Sequence, residues 1–256
     1  VEQNRLEEAA EAAKPIAEGD KLRAALLAAV SHDLRTPLAA AKAAVSSLRA
    51  TDVTWTPQES GELLASADES IDQLGRLVDN LLDMSRLQAG ALPMQTVPTS
   101  LAEIVTHALA DLGPQARGIK LVAAYALPLA VADPALLERV AVNLLTNAIR
   151  YSPADAPPTV TASAHADRVE LRVIDRGPGI PAADRDRMFA PFERLEGAAN
   201  SAGAGLGLAL SRGLTEAMRG TLTPEETPGG GLTMTVSLPA DATARTAGAT
   251  QERDRP

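Results

Sequence analysis

The chain has 256 residues, of which 45% are hydrophobic and only 2% aromatic, with no cysteine and a formal net charge of −9. The acidic balance argues against a nucleic-acid partner, because a phosphate backbone needs a basic face to displace its counterions. Absent cysteines exclude a disulfide framework and a thiolate metal site, which fits a reducing compartment, and without a run of about 18 apolar residues this segment is expected to make no membrane contact.

The length predicts two compact units, and the opening valine suggests a fragment or an alternative start. Residues 1–20, rich in Glu and Ala, read as a charged helical linker that Pro15 kinks or breaks. A long helix should follow from Lys21 to Arg49, with Leu27, Val30, Leu34, Ala41, Val45 and Leu48 as its apolar seam. His32 lies about 200° around that helix from both Val30 and Leu34, so its imidazole points away from the seam. Thr36, one turn on, shares the outward face of His32, and Asp33 sits beside it. An exposed imidazole next to a carboxylate can accept a phosphoryl group, although a lone exposed histidine is more often a solvated side chain. Pro37 should bend the axis.

Thr56-Pro57-Gln58-Glu59 announces a second helix, with threonine as cap, proline in the first turn and glutamate reaching back. Its seam is Leu64, Ala67, Ile71, Leu74, Val78 and Leu81, and Gly90 can end it. Two such helices, residues 21–90, form a hairpin that buries its seams best by pairing with a second copy into a four-helix bundle. Trp55 should plug the end of the bundle. Residues 91–98, with two prolines, form a linker.

A second domain is expected over residues 99–239. Ser100 to Glu103 is another capping box, opening a helix to about Leu112. Ile119 to Tyr125 and Val131 read as strands, and Asp133-Pro134 starts a helix to Arg150. Thr159 to Ala164 and Val169 to Asp175 look like a hairpin, the interval Gly177 to Gly205 is loop-rich, and a helix from Leu206 to Met218 precedes strands Thr221 to Glu225 and Leu232 to Leu238. This is an α+β sandwich, helices on one face of a mixed sheet. Residues 240–256 read as a disordered tail.

Three stretches of this domain carry chemistry. Asn143-Leu144-Leu145-Thr146-Asn147 puts two carboxamides on one helix face, and a carboxamide oxygen is a hard neutral ligand suited to Mg²⁺. Asp175-Arg176-Gly177-Pro178-Gly179-Ile180 places a carboxylate at a strand end, where it can accept a hydrogen bond from an exocyclic amino group. Its glycines let backbone approach a planar base. Gly203-Ala204-Gly205-Leu206-Gly207-Leu208 opens a helix whose unpaired amides favour phosphate, without being a dinucleotide fingerprint. Each string recurs by chance in unrelated folds; their order does not.

That ordered set resembles the cytoplasmic catalytic region of bacterial two-component sensor histidine kinases over residues 21–239. His32 stands in its H box, Asn143 to Asn147 in its N box, Asp175 to Gly179 in G1, Met188-Phe189-Ala190-Pro191-Phe192 in the F segment and Gly203 to Gly207 in G2. His32 to Leu48, Asp52 to Trp55 and Asn80 to Gly90 further resemble the potassium-responsive Kdp-type sensor kinases. The resemblance implies a dimeric helical hairpin joined to an ATP-binding sandwich of the gyrase, Hsp90, histidine kinase and MutL type. It also implies ATP and Mg²⁺, a response-regulator receiver domain as partner, and a cytoplasmic segment of a membrane-anchored parent.

By the same resemblance His32 attacks the γ-phosphorus, Asp33 takes or orients the ring's other proton, and Thr36 positions water for a phosphatase reaction. Asn147 is the metal ligand, Asn143 assists, Arg150 reaches phosphate and Tyr151 stacks on adenine. Asp175 reads the adenine amino group, Gly177 and Gly179 shape its pocket, and Gly203, Gly205 and Gly207 meet the phosphates. Asn143 replaces the water-activating glutamate of the wider fold, so ATP should be held for His32 rather than hydrolysed. Phe189 to Ala204 reads as a mobile lid or, equally, an ordinary surface loop. Glu193 departs from an aromatic in many relatives, and Arg219-Gly220 from a glycine pair. His107 and His165 read as structural or surface residues. The rivals are a sigma-factor-binding protein-serine kinase, which should lack the hairpin, and an inactive scaffold.

Overall fold

The computed structural model describes residues 31, 33–50, 52–124, 127–193 and 205–242. The expected linker helix, the first turns of the His32 helix with His32 itself, Gly203, the middle of the expected lid and residues 243–256 of the tail lie outside the described residues. Contacts divide the chain into two units, one ending at Leu82 and the other beginning at Asp83.

In the first unit helix α1 (residues 33–49) continues through Pro37, which is buried. Helix α2 (Pro57–Gln88) starts where its capping signal predicts. The Thr56 hydroxyl accepts the Glu59 N–H at 3.2 Å, and Glu59 Oε2 accepts both the Thr56 N–H and its hydroxyl at 2.8 Å. Those two bonds hold the Glu59 carboxyl below its ordinary range. The cap's contribution is therefore full above the unfolded carboxylate pKa and is lost as pH falls through the lower folded one. Thr56→Ala is expected to lower stability by about 1 kcal/mol at neutral pH, and urea unfolding at neutral and acid pH should show the difference shrinking on acidification.

The expected seams divide in two. Among the described residues of the unit, Ala41, Ala44, Ala67 and Ser70 are buried along with Pro37, whereas Val45, Ile71 and Val78, expected in the packed seams, are exposed. Leu38 and Leu64 are each 58% exposed and Ile71 57%. The cause is spacing: Leu38 and Val45, like Leu64, Ile71 and Val78, repeat every seven residues and form stripes of their own, while alanines fill the closely packed face. Trp55 sits at the end of α1, its indole N–H donating to the Ser47 carbonyl at 2.9 Å, which also accepts the Ala50 N–H at 3.2 Å.

The second unit is built on a five-stranded sheet of order β2-β4-β5-β7-β6. Its strands are β2 (Lys120–Ala123), β4 (Thr159–His165), β5 (Arg168–Ile174), β6 (Thr221–Glu226) and β7 (Leu232–Pro239). β2 runs parallel to β4 and every other pairing is antiparallel. β1 (Val97–Thr99) and β3 (Ala130–Ala132) make a separate antiparallel pair. Alternation puts Val169, Leu171 and Val173 of β5 and Met234, Val236 and Leu238 of β7 on one face, where they are buried in one core with α3 (Leu101–Leu112), α4 (Pro134–Tyr151) and α5 (Gly207–Ala217). The α+β sandwich is thus as expected. Ser100 caps α3 through the Glu103 N–H, and Asp133 caps α4 through the Ala135 and Leu136 N–H groups. Asp83 is buried and pairs with Arg86 and Arg139. Among the described residues no helix is long and apolar enough to cross a membrane.

Candidate functional site

Helix α4 buries Leu137, Val140, Ala141, Leu144, Leu145 and Ala148 in the core. That anchoring leaves Asn143 and Asn147, one turn apart, half-buried on another face, with Arg150 and Tyr151 exposed at the end. Asn143 Nδ2 donates to Ser211 Oγ of α5 at 2.7 Å. A Cβ on Gly207 would stand 2.3 Å from Asn143 Oδ1, so only glycine lets the start of α5 approach α4 this closely. Leu206, which precedes α5, gives it no side-chain cap, leaving its first amides for an acceptor from elsewhere. Asn143 and the glycine at the start of α5, far apart in sequence, meet here.

At the end of β5 Asp175 is 7% exposed. Its Oδ1 accepts the N–H groups of Gly177 and Leu232, both at 2.9 Å, and its own N–H donates to the Leu232 carbonyl at 2.9 Å. Both side-chain bonds fall on one oxygen, which fixes the carboxylate plane. Gly177 lies against the end of α4, where an added Cβ would sit 2.6 Å from the Tyr151 carbonyl oxygen. Tyr151, Gly177 and Asp175 therefore form a second cluster.

Several residues of the site were not singled out by sequence reasoning. Gly231, with φ +112°, packs so tightly that a Cβ would stand 2.2 Å from the Asp175 carbonyl oxygen. Thr227 and Thr233 are buried and share a hydroxyl–hydroxyl bond of 2.9 Å. The Pro-Gly-Gly-Gly string at residues 228–231 was the available signal, since a glycine run before a strand marks a tight approach of backbone.

The F segment places Met188 and Phe189 in the core, with the Arg212 guanidinium 4.0 Å over the Phe189 ring. Phe192 adopts φ +66°, and its N–H donates to the Gly205 carbonyl at 3.1 Å. Glu193 is engaged by Arg187, so this departure from an aromatic has a structural partner. In the first unit Asp33 is half-buried and Thr36 exposed on α1. His107 and His165 are exposed on α3 and β4. Among the described residues no group of three or more His, Cys, Asp or Glu could hold a metal ion.

Sequence profiles of two families match the chain. One, described as the His Kinase A (phospho-acceptor) domain, covers residues 22–90, and the other, histidine kinase-, DNA gyrase B- and HSP90-like ATPase, covers residues 132–242. Sensor protein KdpD of Mycobacterium tuberculosis is 49% identical over 94% of this chain and 28% of its own length. KdpD of Escherichia coli K12 is 35% identical over 90% of the chain and 26% of its own length. The chain thus spans little more than a quarter of these relatives. Among solved structures, full-length ShkA in complex with AMPPNP superposes with a TM-score of 0.60 at 30% identity, covering 84% of this chain and 46% of that one.

Proposed function

Since the chain belongs to the sensor histidine kinases, with KdpD sensors among its relatives, we propose that it is an ATP:protein-histidine phosphotransferase that phosphorylates His32 and passes the group to an aspartate of a response regulator. The observation that carries the reading is the meeting of Asn143 with Gly207 and Ser211. It sets hard carboxamide oxygens beside uncapped helix amides, the two kinds of group a metal-bound polyphosphate requires.

Asn147, with Asn143 assisting, would hold Mg²⁺. The donor set fits, because Mg²⁺ keeps several waters and shares phosphate oxygens rather than needing a protein cage, and no such cage exists among the described residues. Bound Mg²⁺ neutralises phosphate charge. Arg150, exposed at the end of α4, reaches toward phosphate, and Gly203, Gly205 and Gly207 receive it with backbone N–H groups. Asp175 accepts the adenine amino group through the oxygen not used by Gly177 and Leu232, Gly179 shapes the pocket and Tyr151 stacks on the base. Asn143 has no basic oxygen with which to activate water, so the bound nucleotide is kept for His32.

In the transfer a neutral ring nitrogen of His32 bonds the γ-phosphorus as the bond to the ADP oxygen breaks. The proton on the other ring nitrogen passes to, or is held by, Asp33. Thr36, exposed one turn from His32, positions water for dephosphorylating the partner regulator. The exposed stripes Leu38–Val45 and Leu64–Ile71–Val78 support a homodimeric four-helix bundle, with a second copy covering them. Resemblance to Kdp-type kinases supports potassium or osmotic signalling from the cytoplasmic side of a membrane-anchored parent.

Incubation with γ-labelled ATP and Mg²⁺ tests this reading. Label that is lost in acid and survives base identifies a phosphorus–nitrogen bond to histidine. Acid-stable label would overturn the reading in favour of a hydroxyl acceptor, and ATP binding without label would favour a scaffold.

A further inference from the structure

We infer that Arg187, clamped by Glu193 and Asp184, is a positioning residue for the phosphate-binding glycines and tunes the grip of the site on the nucleotide's phosphates rather than on its base. The inference rests on the ATP reading of the site above. Arg187 opens the short 3-10 turn Arg187–Phe189. Its Nε donates to Glu193 Oε1 at 2.7 Å, its Nη2 donates to the same oxygen, and its Nη1 donates to Asp184 Oδ1 at 3.0 Å. One planar guanidinium thus makes three charge-assisted bonds to two carboxylates, a geometry lysine cannot copy.

The tie reaches the glycines in two steps. Glu193 follows Phe192, whose φ of +66° is a region that residues with a Cβ occupy only when their surroundings hold them there. The Phe192 N–H holds the Gly205 carbonyl at 3.1 Å, and Gly205 is so close to this corner that a Cβ on it would stand 3.0 Å from the Glu193 carbonyl oxygen. Gly205 is two residues before Gly207, the first residue of α5. At the other end Phe189 is buried in the core and lies beneath Arg212 of α5, so the turn carrying Arg187 is fixed to the helix whose first amides meet phosphate. An isolated exposed ion pair contributes little. This one holds a backbone corner in an unfavoured conformation, and that is where its effect is read.

The side chains of Arg187 and Glu193 are 60% and 30% exposed, so truncating them opens no core cavity. The test is calorimetric titration of the whole chain with a non-hydrolysable ATP analogue and Mg²⁺, beside an NMR titration with adenosine. Arg187→Ala and Glu193→Ala are each expected to weaken the analogue about fivefold and to leave adenosine affinity unchanged. The double variant should be no weaker than either single one, because the two residues act through one tie. Equal weakening of adenosine, additive losses in the double variant, or wild-type affinity in the single ones would overturn the inference while leaving the nucleotide site standing. Wild-type protein that binds no analogue would overturn the site itself and the inference with it.

Discussion

Replacing His32 with alanine is expected to reduce the acid-labile label from γ-labelled ATP to background while leaving ATP affinity unchanged. A nucleophile that forms the covalent bond has no substitute among its neighbours: label that is lost in acid and survives base is a phosphorus–nitrogen bond, which neither a carboxylate nor a hydroxyl can form. The residues proposed to hold the nucleotide lie within the ATPase-family match at residues 132–242, and the substitution changes none of them. Filter binding of the labelled nucleotide and acid and base treatment of the labelled chain separate the two effects. Label that persists in His32→Ala, stable to acid, would mark a serine or threonine acceptor. Asn147→Ala should also lose the label, but through weakened binding of Mg²⁺ with ATP, so the two variants part company in the binding measurement.

Gly177→Ala should damage the site from the opposite side, by adding an atom rather than removing one. The new methyl would stand 2.6 Å from the Tyr151 carbonyl oxygen and 3.1 Å from Tyr151 Cβ. The first contact is with backbone, which cannot rotate away as a side chain can. Either the end of α4 or the loop after β5 must therefore move. The loop carries the hydrogen bond from the Gly177 N–H to Asp175 Oδ1, so its movement also frees the carboxylate that we propose reads adenine. Overpacking of this kind destabilises a fold by about 1–3 kcal/mol, and the same free energy taken from binding is a loss of ATP affinity of about fivefold to 150-fold. Gly61→Ala is the control: a Cβ there meets nothing within 4 Å, and on the exposed face of α2 it should raise stability by about 0.5–1 kcal/mol. Titration calorimetry and urea unfolding of both variants measure the pair of effects. Unchanged ATP affinity in Gly177→Ala would show that the corner at Tyr151 does not shape the pocket.

Much of this chain is legible one element at a time. Thr56, Ser100 and Asp133 each hydrogen-bond the amides that their capping signals predict, because a cap is decided within three residues of sequence. The β4–β5 hairpin follows from alternation, and Ala166, in its turn, takes the positive φ of +54° that so short a connection imposes. The motifs are legible for a similar reason: Asn143 and Asn147 share a face because a helix repeats every 3.6 residues. The apolar seams are the exception. Periodicity shows that α1 and α2 carry apolar stripes, but it does not tell which stripe is packed within one chain. Alanines at 41, 44 and 67 took the inner positions because small side chains allow the closest packing, leaving Leu64 and Ile71 outside.

Periodicity, caps and charge thus settle the elements, their type and the chemistry each can offer, since all three are local properties of the chain. Which elements become neighbours was decided only by folding. β7 enters the sheet between β5 and β6, and that placement alone brings Leu232 to the Asp175 carboxylate and Gly231 against its carbonyl. The packing of α5 on α4 joins Ser211 to Asn143, and the return of the chain at Phe192 joins Glu193 to Arg187 near Gly205. These contacts depend on the burial of one shared apolar core by helices and sheet together, and a side chain's partner across such a core is set by the whole arrangement rather than by its neighbours in sequence.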